Sequence, residues 1–149
     1  MSDFKPFDDK LAGLIGALSP SARRKLAGEI AKQLRRSQQQ RIKQQKAPDG
    51  TPYQARKRQP LRAKNGRIKR AMFQKLRTSR YMKASGGDNV AQLMFIDRVQ
   101  RIAQIHQYGL IDKPSKKSTA IQYNKRILMG IGGRDEEMIG RIIVKSLSS

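Results

Sequence analysis

Leu76-Arg-Thr-Ser-Arg-Tyr-Met-Lys-Ala-Ser-Gly-Gly-Asp-Asn-Val-Ala-Gln-Leu-Met-Phe-Ile96 separates a mixed fold from an all-helical one. Alternate positions Leu76, Thr78, Arg80, Met82 and Ala84 fall on one face and Tyr81 on the other, the period-two pattern of a strand. Residues 90–96 make a second short apolar run. Ser85-Gly86-Gly87-Asp88 between the two supplies the turn residues of a hairpin. An antiparallel pair of strands is therefore expected here.

Upstream the period changes to that of a helix. Phe7, Leu11, Leu14, Ile15 and Leu18 share one helical face. Ser19-Pro20 ends that helix and starts another, because a Ser hydroxyl caps well and Pro suits the first helical position. The second helix is expected from Pro20 to Lys46. Leu26, Ile30 and Leu34 line its apolar face, with Ala27 and Ala31 beside them. From Ser37 to Lys46 it is polar nearly all round, which predicts a helix projecting from the core to meet solvent or another chain. Ala47-Pro-Asp-Gly-Thr-Pro-Tyr53 is a turn cluster. Residues 54–66 read as extended or irregular. Arg67–Leu76 reads as a short helix on the spacing of Ile68, Met72 and Leu76.

Downstream, Asp97 is expected to cap a helix reaching Tyr108, with Val99, Ile102, Ala103 and His106 on one face and Gly109 just past its end. Residues 111–119 read as a polar loop and 120–123 as a short strand. Arg126–Ile131 is apolar but interrupted by Gly130. Asp135 is expected to cap a last helix that buries Met138, Ile139, Ile142, Ile143 and Leu147. The predicted fold class is α+β: long N-terminal helices, a small antiparallel sheet and a C-terminal amphipathic helix. Residues 1–149 are expected to form a single domain. Within it, residues 1–46 are helical, residues 47–83 form a basic loop and helix/strand tract, and residues 84–149 supply sheet and helices.

The chain carries 33 Lys+Arg against 11 Asp+Glu, a formal charge of +22. Self-repulsion at that density opposes compaction until a partner or counterions screen it, so a polyanion or an acidic protein is the expected partner. Hydrophobic residues make up 37% of the chain, enough for only a modest core, and a subunit steadied by its neighbours fits that limit. There is no Cys, which excludes disulfides, thiolate metal sites and Cys catalysis. The first residues, Met1-Ser-Asp-Phe-Lys5, lack a signal-peptide pattern, and no apolar run approaches the ~20 residues that span a bilayer. A soluble protein made in a cytoplasm, without membrane contact, is expected.

Twelve basic residues lie between Arg56 and Lys83, and no acid lies between Gly50 and Gly87. Within that tract Arg56, Lys57, Arg58, Arg62, Lys64, Arg67, Lys69 and Arg70 are the candidate DNA- or partner-binding residues. Such a tract reads backbone charge rather than base sequence. Its few aromatics argue against a platform for stacking single-stranded bases. Catalysis finds little support. His106 is the lone histidine, and such a residue on an apolar helix face is usually a packed, hydrogen-bonded side chain. Asp135-Glu136-Glu137 is better explained by the dipole of a helix start than by a metal. Gly130-Ile-Gly-Gly133 lacks the ending of a phosphate-binding loop. No cofactor is expected.

The order of several stretches carries a resemblance. They are Ala47-Pro-Asp-Gly-Thr-Pro-Tyr53 with Ala55-Arg-Lys-Arg-Gln59, then Lys64-Asn-Gly-Arg-Ile-Lys-Arg70, then Met72-Phe-Gln-Lys-Leu-Arg-Thr-Ser-Arg-Tyr-Met-Lys83. Arg98-Val-Gln-Arg-Ile-Ala-Gln-Ile-His-Gln-Tyr-Gly-Leu110, Leu128-Met-Gly130 and the last amphipathic helix follow. Together they resemble the phage virion morphogenesis family, in particular its tail-completion branch in P2-like temperate phages with contractile tails, over nearly the whole chain. The resemblance implies a non-enzymatic structural protein without cofactor. On that resemblance it is expected to act at the head-proximal end of a tail and enable head–tail joining, to be made in the host cytoplasm and to be retained at the head–tail junction of the virion. By analogy with other neck and tail-end proteins it implies a homo-oligomeric ring, taken as hexameric, around the DNA path. Its neighbours are then tail-tube or tail-terminator proteins, neck or connector proteins, and packaged DNA contacted without sequence preference. Tyr53, His106 and Tyr108 are candidate interface residues. The competing class, on charge alone, is a free basic nucleic-acid-binding protein, although no clear helix-turn-helix supports it.

Overall fold

The computed structural model describes residues 12–56 and 71–148, and the class is α+β as expected. After a helical turn at 12–16, helix α1 spans Pro20–Lys43. The Ser19 hydroxyl accepts from the Ala22 N–H at 3.2 Å, and Pro20 occupies the first turn. The helix stops short of Lys46 because Gln45 turns into the left-handed region, with φ 59°. The Gln45 carboxamide then clamps Met72, donating to its carbonyl at 2.8 Å and accepting from its N–H at 2.9 Å.

Strands β1 (Met82–Gly86) and β2 (Ala91–Phe95) form the expected antiparallel hairpin, with Met82 opposite Phe95 and Gly86 opposite Ala91. The Gly87 N–H closes its turn on the Val90 carbonyl at 2.8 Å. The hairpin lies against α1. Gly86 approaches the backbone of Ala27 and Gly28 so closely that a Cβ on Gly86 would overlap main-chain atoms of both. Helix α2 (Asp97–Tyr108) ends as predicted on Gly109, which holds φ 63°. A second small antiparallel pair follows, β3 (Ile111–Asp112) with β4 (Ile121–Gln122). Helix α3 (Gly133–Leu147) closes the described chain and packs on α1. No described helix is long and apolar enough to cross a membrane.

The core gathers Ile42, Leu76, Met82, Phe95, Val99, Ala103 and Leu128 from these elements, with Tyr53, Phe73 and Tyr81 packed around it. Its centre corrects the reading of α1. The polar stretch does not project from the core: Ile42 is 0% and Gln38 2% exposed. The helix is polar in composition there, but its buried Gln38 accepts from the Gly130 N–H of another segment, so no apolar stripe is required at that position.

Other boundaries also shift. The strand expected from Leu76 begins only at Met82, because residues 72–81 form successive turns. Those turns also replace the described portion of the helix expected at 67–76. Phe73, at φ 65°, cannot continue a right-handed helix. Residues 67–70, like 7–11 of the first predicted helix, lie outside the described residues. Ile96, not Asp97, is the N-cap of α2, and Gly132, not Asp135, is that of α3; both acids sit in the first turn. Ile102, on the face it was expected to share with Val99, Ala103 and His106, is half exposed. The apolar residues of α3 are only half-buried, and Asp135 is its one fully buried described residue.

Candidate functional site

Two sets of cations are held by the elements just described. In the first, Arg41 near the end of α1 donates to the Asp135 carboxylate at 2.7 Å and to the Gly130 carbonyl at 2.8 Å. Asp135 also accepts from the Ser37 hydroxyl and from the Gly132 N–H, the latter at 2.9 Å. Gln38 accepts from Arg41 and, at 3.1 Å, from the Gly130 N–H. Burial pushes the Asp135 carboxyl up, but the Ser37, Gly132 and Arg41 bonds outweigh it and hold it below the usual carboxylate range. The glycines serve close packing: a Cβ at Gly130 would stand 2.7 Å from Pro48 Cγ, and one at Gly132 2.5 Å from the Pro48 carbonyl oxygen. Gly130-Ile-Gly-Gly133 and the Pro48 turn are thus two halves of one contact, and this node is structural.

The second set surrounds a groove of about 620 Å³. Its walls include Met72, Phe73, Leu76, Ile102, His106, Ile121 and Tyr123, and its cations are Arg56, Lys75 and Arg126. Among the described residues no carboxylate lines it. Arg126 is 6% exposed, and among the described residues its guanidinium donates only to the backbone carbonyls of Gln54 at 2.8 Å and Ala55 at 3.1 Å. Burial and the neighbouring Arg56 charge lower its pKa, yet a guanidinium stays protonated at any physiological pH. A cation so placed has given up hydration without gaining an opposite charge.

Four rings run in a row beneath. Tyr53 meets Phe73 edge-on at 5.7 Å, Phe73 meets His106 at 4.8 Å, and His106 meets Tyr123 at 5.3 Å. His106 Nδ1 is buried with no hydrogen-bond partner among the described residues. Burial first, and then the Arg126 charge, lower its pKa, so it stays neutral at pH 7. Among the described residues, the groove lining places no Ser, Thr, Cys, Asp or Glu beside His106. The chemistry on offer is binding: an apolar floor with a cationic rim suits an anion joined to an apolar body.

Of the sequence-predicted residues, Arg56 reaches this groove and is exposed. Lys57, Arg58, Arg62, Lys64, Arg67, Lys69 and Arg70 lie outside the described residues. Tyr53 is half-buried. Its hydroxyl donates to the Ile127 carbonyl at 2.7 Å, and burial pushes its pKa up to about 12. His106 is inside the groove, whereas Tyr108 is 63% exposed on the far end of α2, beside exposed Leu110 and Ile111. Arg126 was not foreseen as a site residue, since a single Arg in an apolar run gives no periodic signal.

Comparison with known proteins adds a relationship over the full length. The chain matches the phage virion morphogenesis family over residues 2–148. It is 47% identical over 148 residues to the tail completion protein S of Escherichia phage P2, covering 99% of each chain. No solved structure is significantly similar to it.

Proposed function

This chain belongs to the phage virion morphogenesis family, and on that premise we propose that it completes the head-proximal end of a phage tail so that the tail can join a filled head. The observation that carries the reading is the likeness to a tail completion protein over 99% of both chains. The role is structural rather than catalytic, and needs no cofactor. The subunit works as part of a homo-oligomeric ring at the head–tail junction of the virion, in contact with tail and neck proteins.

The physical character of the chain supports this reading. A charge of +22 suits a place beside packaged DNA or an acidic neighbour. Exposed Tyr108, Leu110, Ile111 and Val144 leave apolar surface for other chains. The basic tract from Arg56 makes the polyanion or partner contact.

The test is complementation of a phage lacking this protein. Replacing Arg56, Lys57 and Arg58 together by Gln should block head–tail joining, leaving separate heads and tails in lysates, while the purified variant keeps its circular dichroism. A normal yield of infectious particles would remove the basic tract from the mechanism.

A further inference from the structure

Among the described residues the groove around Arg126 holds no counter-ion, and one segment of this chain has the chemistry to supply it. Arg56, Lys75 and Arg126 face the groove with no acid among its described lining residues. Residues 57–70, which join Arg56 to Ala71 of that lining, contain no acid either. The N-terminal segment is different. It carries Asp3, Asp8 and Asp9 alongside Phe4, Phe7 and Leu11. Among the other acids, Asp88, Asp112 and Asp135 are already in ion pairs. Phe7-Asp8-Asp9 thus joins an aromatic body to two negative charges, the combination that an apolar floor with a cationic rim accepts.

Reach decides which copy supplies it. Ala12 lies in a cleft with Leu26 and Ala27, near the start of α1. The groove lies at the other end, where Gln45 holds Met72. The cleft reaches Ile30, and from Ile30 to Gln45 at 1.5 Å per residue is roughly 22 Å. Even fully extended, the chain from Ala12 back to Phe7 spans at most about 18 Å, and back to Asp9 about 11 Å. Phe7-Asp8-Asp9 cannot enter its own groove.

We propose that Phe7-Asp8-Asp9 of one copy docks in the Arg56–Lys75–Arg126 groove of the next. Ala12, from which the plug segment extends, and the groove are different patches at opposite ends of α1, so a non-reciprocal contact between them is heterologous and propagates around a ring. The inference deepens the oligomeric aspect of the function proposed above and rests on it.

The test is a charge swap in the full-length chain, read as mass by light scattering at low salt. The wild type is expected as a discrete oligomer. Asp8→Arg with Asp9→Arg, and separately Arg56→Glu with Lys75→Glu, should each weaken association at least tenfold and yield monomers. Mixed one to one, the two variants should regain the oligomer, since each reversed plug meets a reversed groove. Arg56 and Lys75 are exposed and Arg126 is left in place, so the fold should survive, as circular dichroism checks. Variants that keep the wild-type mass, or a mixture that stays monomeric, overturn the proposal. So does assembly that requires added random-sequence DNA, which would put a polyanion in the groove instead. A wild-type monomer that still binds purified tails overturns it too, while leaving the tail-completion reading intact.

Discussion

Arg41 and Arg126 are both enclosed by the fold, yet they are in opposite electrostatic situations. Arg41 meets the Asp135 carboxylate at 2.7 Å, within a cage of Ser37, Gln38 and two glycines. Among the described residues Arg126 meets two carbonyl oxygens and no carboxylate. The first charge is neutralised within the chain, so its site is complete and mechanical. The second is held in position but not neutralised, which is the state expected of a group whose counter-charge arrives with a partner. In a chain with three times as many cations as anions, where the few acids are placed separates scaffold from binding surface.

The largest effect that tests this contrast is at Asp135. Asp135→Ala leaves the Arg41 charge enclosed without its partner and should cost about 3–5 kcal/mol in urea unfolding. The carboxyl titrates below its ordinary 3.8 in the folded chain, so its contribution is fully present above that value and is lost as pH falls through the lowered one. Acid unfolding of the wild type should therefore show a steep loss below about pH 4 that Asp135→Asn lacks. A loss under about 1 kcal/mol for the alanine variant would place the α1–α3 junction elsewhere.

Arg126→Met should have a smaller effect, no more than about 2 kcal/mol, because it removes an uncompensated charge and frees carbonyls of exposed residues that water can reach. A cost equal to that of Asp135→Ala would erase the distinction between the two arginines. The smallest effect belongs to the Arg101–Asp112 pair, whose arginine side chain is 80% exposed. Arg101→Ala should change stability by about 0.5 kcal/mol or less, within the range of surface ion pairs.

Much of the framework was legible without coordinates. Ser19-Pro20 starts α1, Gly109 ends α2, and the glycines at 86–87 mark the hairpin, because each satisfies a local backbone demand that neighbouring residues reveal. The errors cluster where a distant segment overrides local preference. Gln38 has the look of a solvent-facing residue until Gly130 and Arg41 appear as its partners. Residues 71–81 have helix and strand spacing at once. The Gln45 clamp on Met72 and the left-handed Phe73 turn them into neither.

The candidate site divides in the same way. The basic tract from Arg56 was visible as a run of charge, since charge is additive along a chain and needs no fold to be counted. The groove was not, because Phe73, His106, Tyr123 and Arg126 come from separate stretches and have no common period. By itself the sequence determined the family, the excess of positive charge, the approximate positions of α1, α2, α3 and the first hairpin, and the lack of cysteine chemistry. Only the tertiary structure decided which arginine is neutralised and which is not. Pairing depends on distances of about 3 Å between residues dozens of positions apart, and no local pattern encodes those distances.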